Sequence, residues 1–124
     1  MDNAFDTNEK LYRAVFPPSK FPNFWKKNGK ISSAALKKNE GLSVERDDFR
    51  PSEEVINSMR EVFDGSIVSI KVGQCYDVGA LVKYCPSKRS KYHSEIHRNE
   101  ETARLTDSQA KRLADLAEIE YNEV

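Results

Sequence analysis

No run in this chain approaches the ~18 consecutive apolar residues that a membrane-crossing helix requires, so no such helix is expected. Neither sign of charge prevails. Lys and Arg number 20 and Asp and Glu number 20, which removes any whole-molecule attraction to nucleic acid or to a membrane surface. Cysteine is scarce: Cys75 and Cys85 make no disulfide framework and read as free thiols in a reducing compartment. The opening MDNAFDTNEK lacks the basic start and apolar stretch of a signal peptide and the arginines of a transit peptide, so the expected location is cytoplasmic. With 5 glycines there is no Gly-rich phosphate loop and no nucleophile elbow. Repeats and low-complexity segments are also absent from the sequence.

What remains is enough for one modest core. The chain has 124 residues, 38% of them hydrophobic, with six Phe, five Tyr and one Trp, the size of a single domain. Its charge is distributed in blocks. Lys10 to Asn39 holds eight basic residues and no acidic one, Glu40 to Asp64 eight acidic against three basic, Gly65 to Arg98 six basic against two acidic, and the remainder seven acidic against three basic. If the basic blocks met in space, a neutral molecule would carry a positive face.

Residues 1–10 read as a flexible leader, followed by one α+β domain over 11–124. Leu11 to Phe16 alternates like a strand and stops at Pro17-Pro18. Residues 17–30 are irregular, and 31–36 fit a short strand or a helical turn equally. Leu42-Ser43-Val44 reads as a strand. Pro51 and two acids then open a helix over about 52–63, whose stripe is Val55, Ile56, Met59, Val62 and Phe63, closed by Asp64-Gly65. Strands are expected at 67–72, closed by Gly73, at 77–85, ended by Pro86, and at 92–97. A second helix, about 107–118, follows Thr106 and Gln109, which have capping-box spacing. Its stripe is Ala110, Leu113, Ala114, Leu116 and Ala117. Ile119, Tyr121 and Val124 form a short last strand or fray. Two helices are too few for a doubly wound sheet, so the expectation is a small mixed or antiparallel sheet with one or two packed helices.

The densest chemistry is His93-Ser94-Glu95-Ile96-His97, where strand alternation puts His93, Glu95 and His97 on one face. These are ligand types for zinc or iron, but a third or fourth ligand is not evident, and no P-C-x-x-C run follows the H-x-E of 93–95. No metal is assigned; His93 and Glu95 stand as acid or base candidates. Arg13 interrupts an apolar strand, as an arginine snorkelling to a sheet edge or one held for an anion would. Ser33, Lys37, Ser43 and Arg46 join it as candidate ligand-binding residues. Aromatics 16, 21, 24 and 25 interleave with lysines 20, 26, 27 and 30, a pattern that suits nucleic acid or a nucleotide and equally suits a loop pinned to the core. Lys88, Arg89 and Lys91 make a second small basic patch.

The order Arg13, Ser43, Glu95 resembles that of the arginine–serine–glutamate ADP-ribosyltransferases. The resemblance implies NAD as cofactor, with Arg13 on its phosphates and Glu95 steadying an oxocarbenium-like transition state. Over residues 11 to about 117, the motifs L-Y-R-A-V, I-S-S-A-A-L-K, G-L-S-V-E-R, H-S-E-I and A-K-R-L-A also resemble a family of small prokaryotic proteins. That family implies recurring polar positions at Arg13, Ser33, Lys37, Ser43 and His93 but brings no activity with it. The leading functional expectation is an accessory binding domain taking a phosphate-bearing ligand, nucleic acid or a partner protein at a polar cleft. A nucleotide-acting enzyme, as in a toxin or defence component, and a structural interaction module are the alternatives.

Overall fold

The structure, a computed structural model, describes residues 5–122. Its strands are β1 (Lys10–Val15), β2 (Leu42–Arg46), β3 (Ser66–Lys71), β4 (Leu81–Tyr84), β5 (His93–His97) and β6 (Glu118–Tyr121), and its helices α1 (Ser52–Arg60), α2 (Val72–Asp77) and α3 (Asp107–Leu116). Single 3₁₀ turns occupy Pro22–Phe24 and Ser33–Leu36. All six strands join one antiparallel sheet in the order β4-β5-β2-β1-β3-β6. The α+β class with an antiparallel sheet is therefore the fold.

Local chemistry accounts for most boundaries. Glu53 and Glu54 sit in the first turn of α1, where the helix dipole favours acid. The helix closes at Arg60 rather than 63, because the N–H groups of Val62 and Phe63 both fold back onto the Met59 carbonyl. Gly65 then reverses the chain at φ 112°, where a Cβ would lie 2.4 Å from the Val15 carbonyl oxygen. Thr106 accepts from the Gln109 amide, and the Gln109 side chain accepts from the Thr106 amide, closing the capping box at the start of α3. Leu116 departs from the expected stripe and is 42% exposed, whereas Ala117 is buried.

One element was not expected. Gly73 does not close β3 into a loop; Val72–Asp77 coils into α2, and the strand expected over 77–85 is confined to Leu81–Tyr84. The Gln74 side chain accepts from the Lys71 amide to start this short helix, and Gly73 permits close approach of the chain at Thr7.

The larger core lies on one face of the sheet. Leu11, Val15, Leu42, Val44, Val68, Ile70 and Ile96 pack there beneath α2, α3 and the 33–36 turn, with Leu36, Cys75 and Leu113 fully buried. On the other face, α1 lays Val55 and Met59 against Tyr12 and Ile67. The flexible leader needs correction over its described part. The Glu9 carboxylate is buried against Arg46, Phe5 packs on the core, and Lys10 already belongs to β1. Residues 1–4 of that leader, and Val124 of the expected last strand, lie outside the described residues.

Candidate functional site

A single helix cannot cover one face of a six-stranded sheet. α1 shields the β1-β3-β6 half and leaves the β2-β5-β4 half open, and the residues there are mostly polar, Leu81 excepted. Strand register puts Ser43 opposite Glu95 and Glu45 opposite His93. The two halves are also thinly joined: β1 pairs with β3 at six register positions but with β2 at only two, Leu11–Arg46 and Tyr12–Glu45. Past Tyr12 the central strands part, and a cleft of about 660 Å³ opens over that seam, between the end of α1 and the loop before β5. Such a volume suits a small organic ligand.

Arg13, Ser43 and His93 all line this cleft. The Arg13 guanidinium reaches across the seam and donates from Nη1 to the Ser43 carbonyl oxygen at 2.9 Å. Its Nε is buried and has no hydrogen-bond partner among the described residues. Burial pushes this guanidinium down to about 10, against the raising influence of Glu40, so it stays cationic at neutral pH. His93 Nδ1 lies 2.8 Å from the Cys85 carbonyl oxygen. A carbonyl only accepts, so Nδ1 carries a proton, and in the tautomer this selects Nε2 is the acceptor.

The other expected site residues are elsewhere. Glu95 shares a strand face with His93 but does not line the cleft; its carboxylate accepts from His97 Nε2 at 2.8 Å. Ser33 begins the 33–36 turn on the large-core side, and Lys37 pairs at 2.6 Å with Asp107 at the start of α3. Arg46 does not line the cleft and is buried. Only 2% exposed, it holds Glu9 through Nε at 2.8 Å and Nη2 at 2.9 Å and stacks on the rings of Phe5 and Tyr84. Cleft residues that the sequence did not single out are Tyr12, Phe63 and Tyr92. Phe63 read as helix core, and only the early end of α1 turns it outward.

Four cations of the first basic block are matched by acids from elsewhere in the chain. Lys10 pairs with Glu120, Lys20 with Asp64, Lys26 with Asp115 and Lys37 with Asp107. By contrast, Arg89 and Lys91 make no ion pair among the described residues and rest over cleft aromatics. The Arg89 guanidinium is 4.9 Å from the Phe63 ring centre and the Lys91 ammonium 5.3 Å from that of Tyr92. Of the two acids lining the cleft, Glu45 is engaged by Ser90 at 2.8 Å and Arg50 at 3.5 Å, and Asp64 lies 4.0 Å from Lys20. No group of three or more His, Cys, Asp or Glu able to hold a metal occurs among the described residues, and no helix there is long and apolar enough to cross a membrane. No protein-family model, curated protein or solved structure matches this chain.

Proposed function

We propose that this protein is a binding domain whose cleft takes a small phosphate-bearing molecule with a planar ring, of the nucleotide class. The observation that carries the reading is the pairing, within one cleft, of unneutralised cations with aromatic walls: Arg89 and Lys91 at its rim, Arg13 on its floor, and Phe16, Phe63 and Tyr92 beside them. Cations meet phosphate, ring faces meet a base, and Nε2 of His93 accepts a hydrogen bond from an exocyclic amine or hydroxyl. A transferase reading gains nothing from the position of Glu95, and a nucleic-acid reading loses Lys20 and Lys26, which are paired with Asp64 and Asp115.

Titration calorimetry with AMP and with adenosine tests this. AMP should bind more tightly than adenosine. Replacing the two exposed cations, Arg89→Ala with Lys91→Ala, should weaken AMP by about tenfold, the worth of one charge-assisted hydrogen bond, and leave adenosine almost unchanged. Absence of binding, or AMP affinity indifferent to both cations, would refute the proposal.

A further inference from the structure

Phe49 is 83% exposed, more than any other large hydrophobic residue described, and its backbone stands at φ 64° directly after Asp48 at φ 47°. Two successive left-handed residues, neither of them glycine, are costly, and an aromatic residue there is rare. The surrounding bonds nevertheless hold this loop firmly. The Asp48 amide donates to Glu9 Oε2 at 2.9 Å, the Phe49 amide to Asp47 Oδ1 at 3.1 Å, and the Lys10 amide to Asp47 Oδ2 at 3.1 Å. Arg50 donates to the carbonyls of Asp47 and Arg46 at 2.9 and 2.6 Å. The buried Glu9–Arg46 pair thus fixes a turn that presents an aromatic ring to solvent, which is how a rigid anchor residue is displayed to a partner.

We infer that the partner is a second copy of this chain, with Phe49 of each copy entering the cleft of the other. Charge complementarity selects this occupant. Phe49 is flanked by four acids, Asp47, Asp48, Glu53 and Glu54, against one cation, Arg50, while the cleft is lined by Arg13, Arg89 and Lys91 against Glu45 and Asp64, with Lys88 next in sequence to its rim. The cleft also offers Phe16, Val62 and Phe63, apolar groups for a ring to enter. Phe49 precedes the first turn of α1 and the cleft gathers residues from its last turn onward, so the ring does not fill its own cleft. Antiparallel apposition of two α1 helices brings each anchor to the other's cleft, a closed two-fold pairing that uses both donors and both acceptors. This inference rests on the cleft, not on its ligand, although the two occupants exclude one another.

Sedimentation velocity over a wide concentration range tests it. The wild-type chain should pass from monomer to dimer, more weakly at high salt. Phe49→Ala, which removes the anchor, and the Arg89→Glu, Lys91→Glu double variant, which reverses the rim, should each remain monomeric. Mixed in equal amounts, the two should form a heterodimer through the one intact contact. Phe49→Gly should also stay monomeric yet melt at a higher temperature than the Phe49→Ala chain, because glycine relieves the left-handed backbone. A wild-type chain monomeric throughout, a Phe49→Ala chain that still dimerises, a mixture that stays monomeric, or a Phe49→Gly chain that melts lower would each overturn the inference. AMP binding by the monomeric Phe49→Ala chain reports on the ligand proposal separately: its loss there would refute that proposal and leave the dimer standing.

Discussion

Arg46 and Glu9 show how one pair of residues fixes both a terminus and a loop. Two charges taken out of water are tolerable only when each is met by the other and by further donors, and here the carboxylate also accepts from the Asp48 amide. Removing one partner should therefore cost far more than removing both. Glu9→Leu alone or Arg46→Met alone is expected to lower stability in urea by about 3–5 kcal/mol, and the Glu9→Leu, Arg46→Met pair by much less than their sum. Simple additivity would show that the charges are not coupled. Cys75 carries a prediction for alkaline pH. Burial pushes its thiol up from 9.0 to about 12. Its contribution is fully present below pH 9.0 and is lost as pH rises toward 12, because over that window only the unfolded chain gives up the proton. Stability should fall there by about 1.4 kcal/mol per pH unit on this account, and Cys75→Ala should flatten that limb of a stability–pH profile relative to wild type.

Helix α3 is held at its start by more than its own cap. Besides closing the box with Thr106, Gln109 donates from Nε2 to the carbonyls of Val78 at 3.1 Å and Arg98 at 3.3 Å, tying the helix to the ends of α2 and β5. Thr106→Ala should cost about 1 kcal/mol as a lost cap. Gln109→Ala should cost more, because it also strands two carbonyls; equal losses in urea denaturation would mean that the tie is idle. The Thr106 and Gln109 spacing, the first half of the α1 stripe (Val55 and Met59, but not the exposed Val62 and Phe63) and the alternation of His93 to His97 were legible, because each is a short-range pattern that one element satisfies alone. α2 was not. Val72 to Asp77 is only six residues long, shows no repeat of an apolar stripe, and follows a strand whose β-branched residues run straight into it. Its helicity depends on Gln74 capping Lys71 and on contact with Thr7 far back in sequence. The early end of α1, which frees Phe63 for the cleft, likewise depends on a local closure onto Met59 that periodicity does not encode.

At the scale of the whole molecule, the site follows from which strands are neighbours. Arg13, Ser43 and His93 were singled out separately, and they share a cleft because β1, β2 and β5 lie side by side. Spacing along the chain holds no sign that β1 and β2 part after two register positions, so the seam and the cleft above it were not readable. Nor was the pairing of Lys20, Lys26 and Lys37 of the first basic block, which needed acids brought from α3 and from the turn after α1. Strand order also bears on how the chain is made. β3 is complete at Lys71, its inner neighbour β1 is already there, and its outer neighbour β6 begins only at Glu118. During synthesis of the stretch between, a strand destined for burial from Ser66 to Ile70 keeps one edge of bare amides and carbonyls. On a messenger read by several ribosomes at once, that edge is a template for neighbouring chains, and β6 is the strand that ends the exposure.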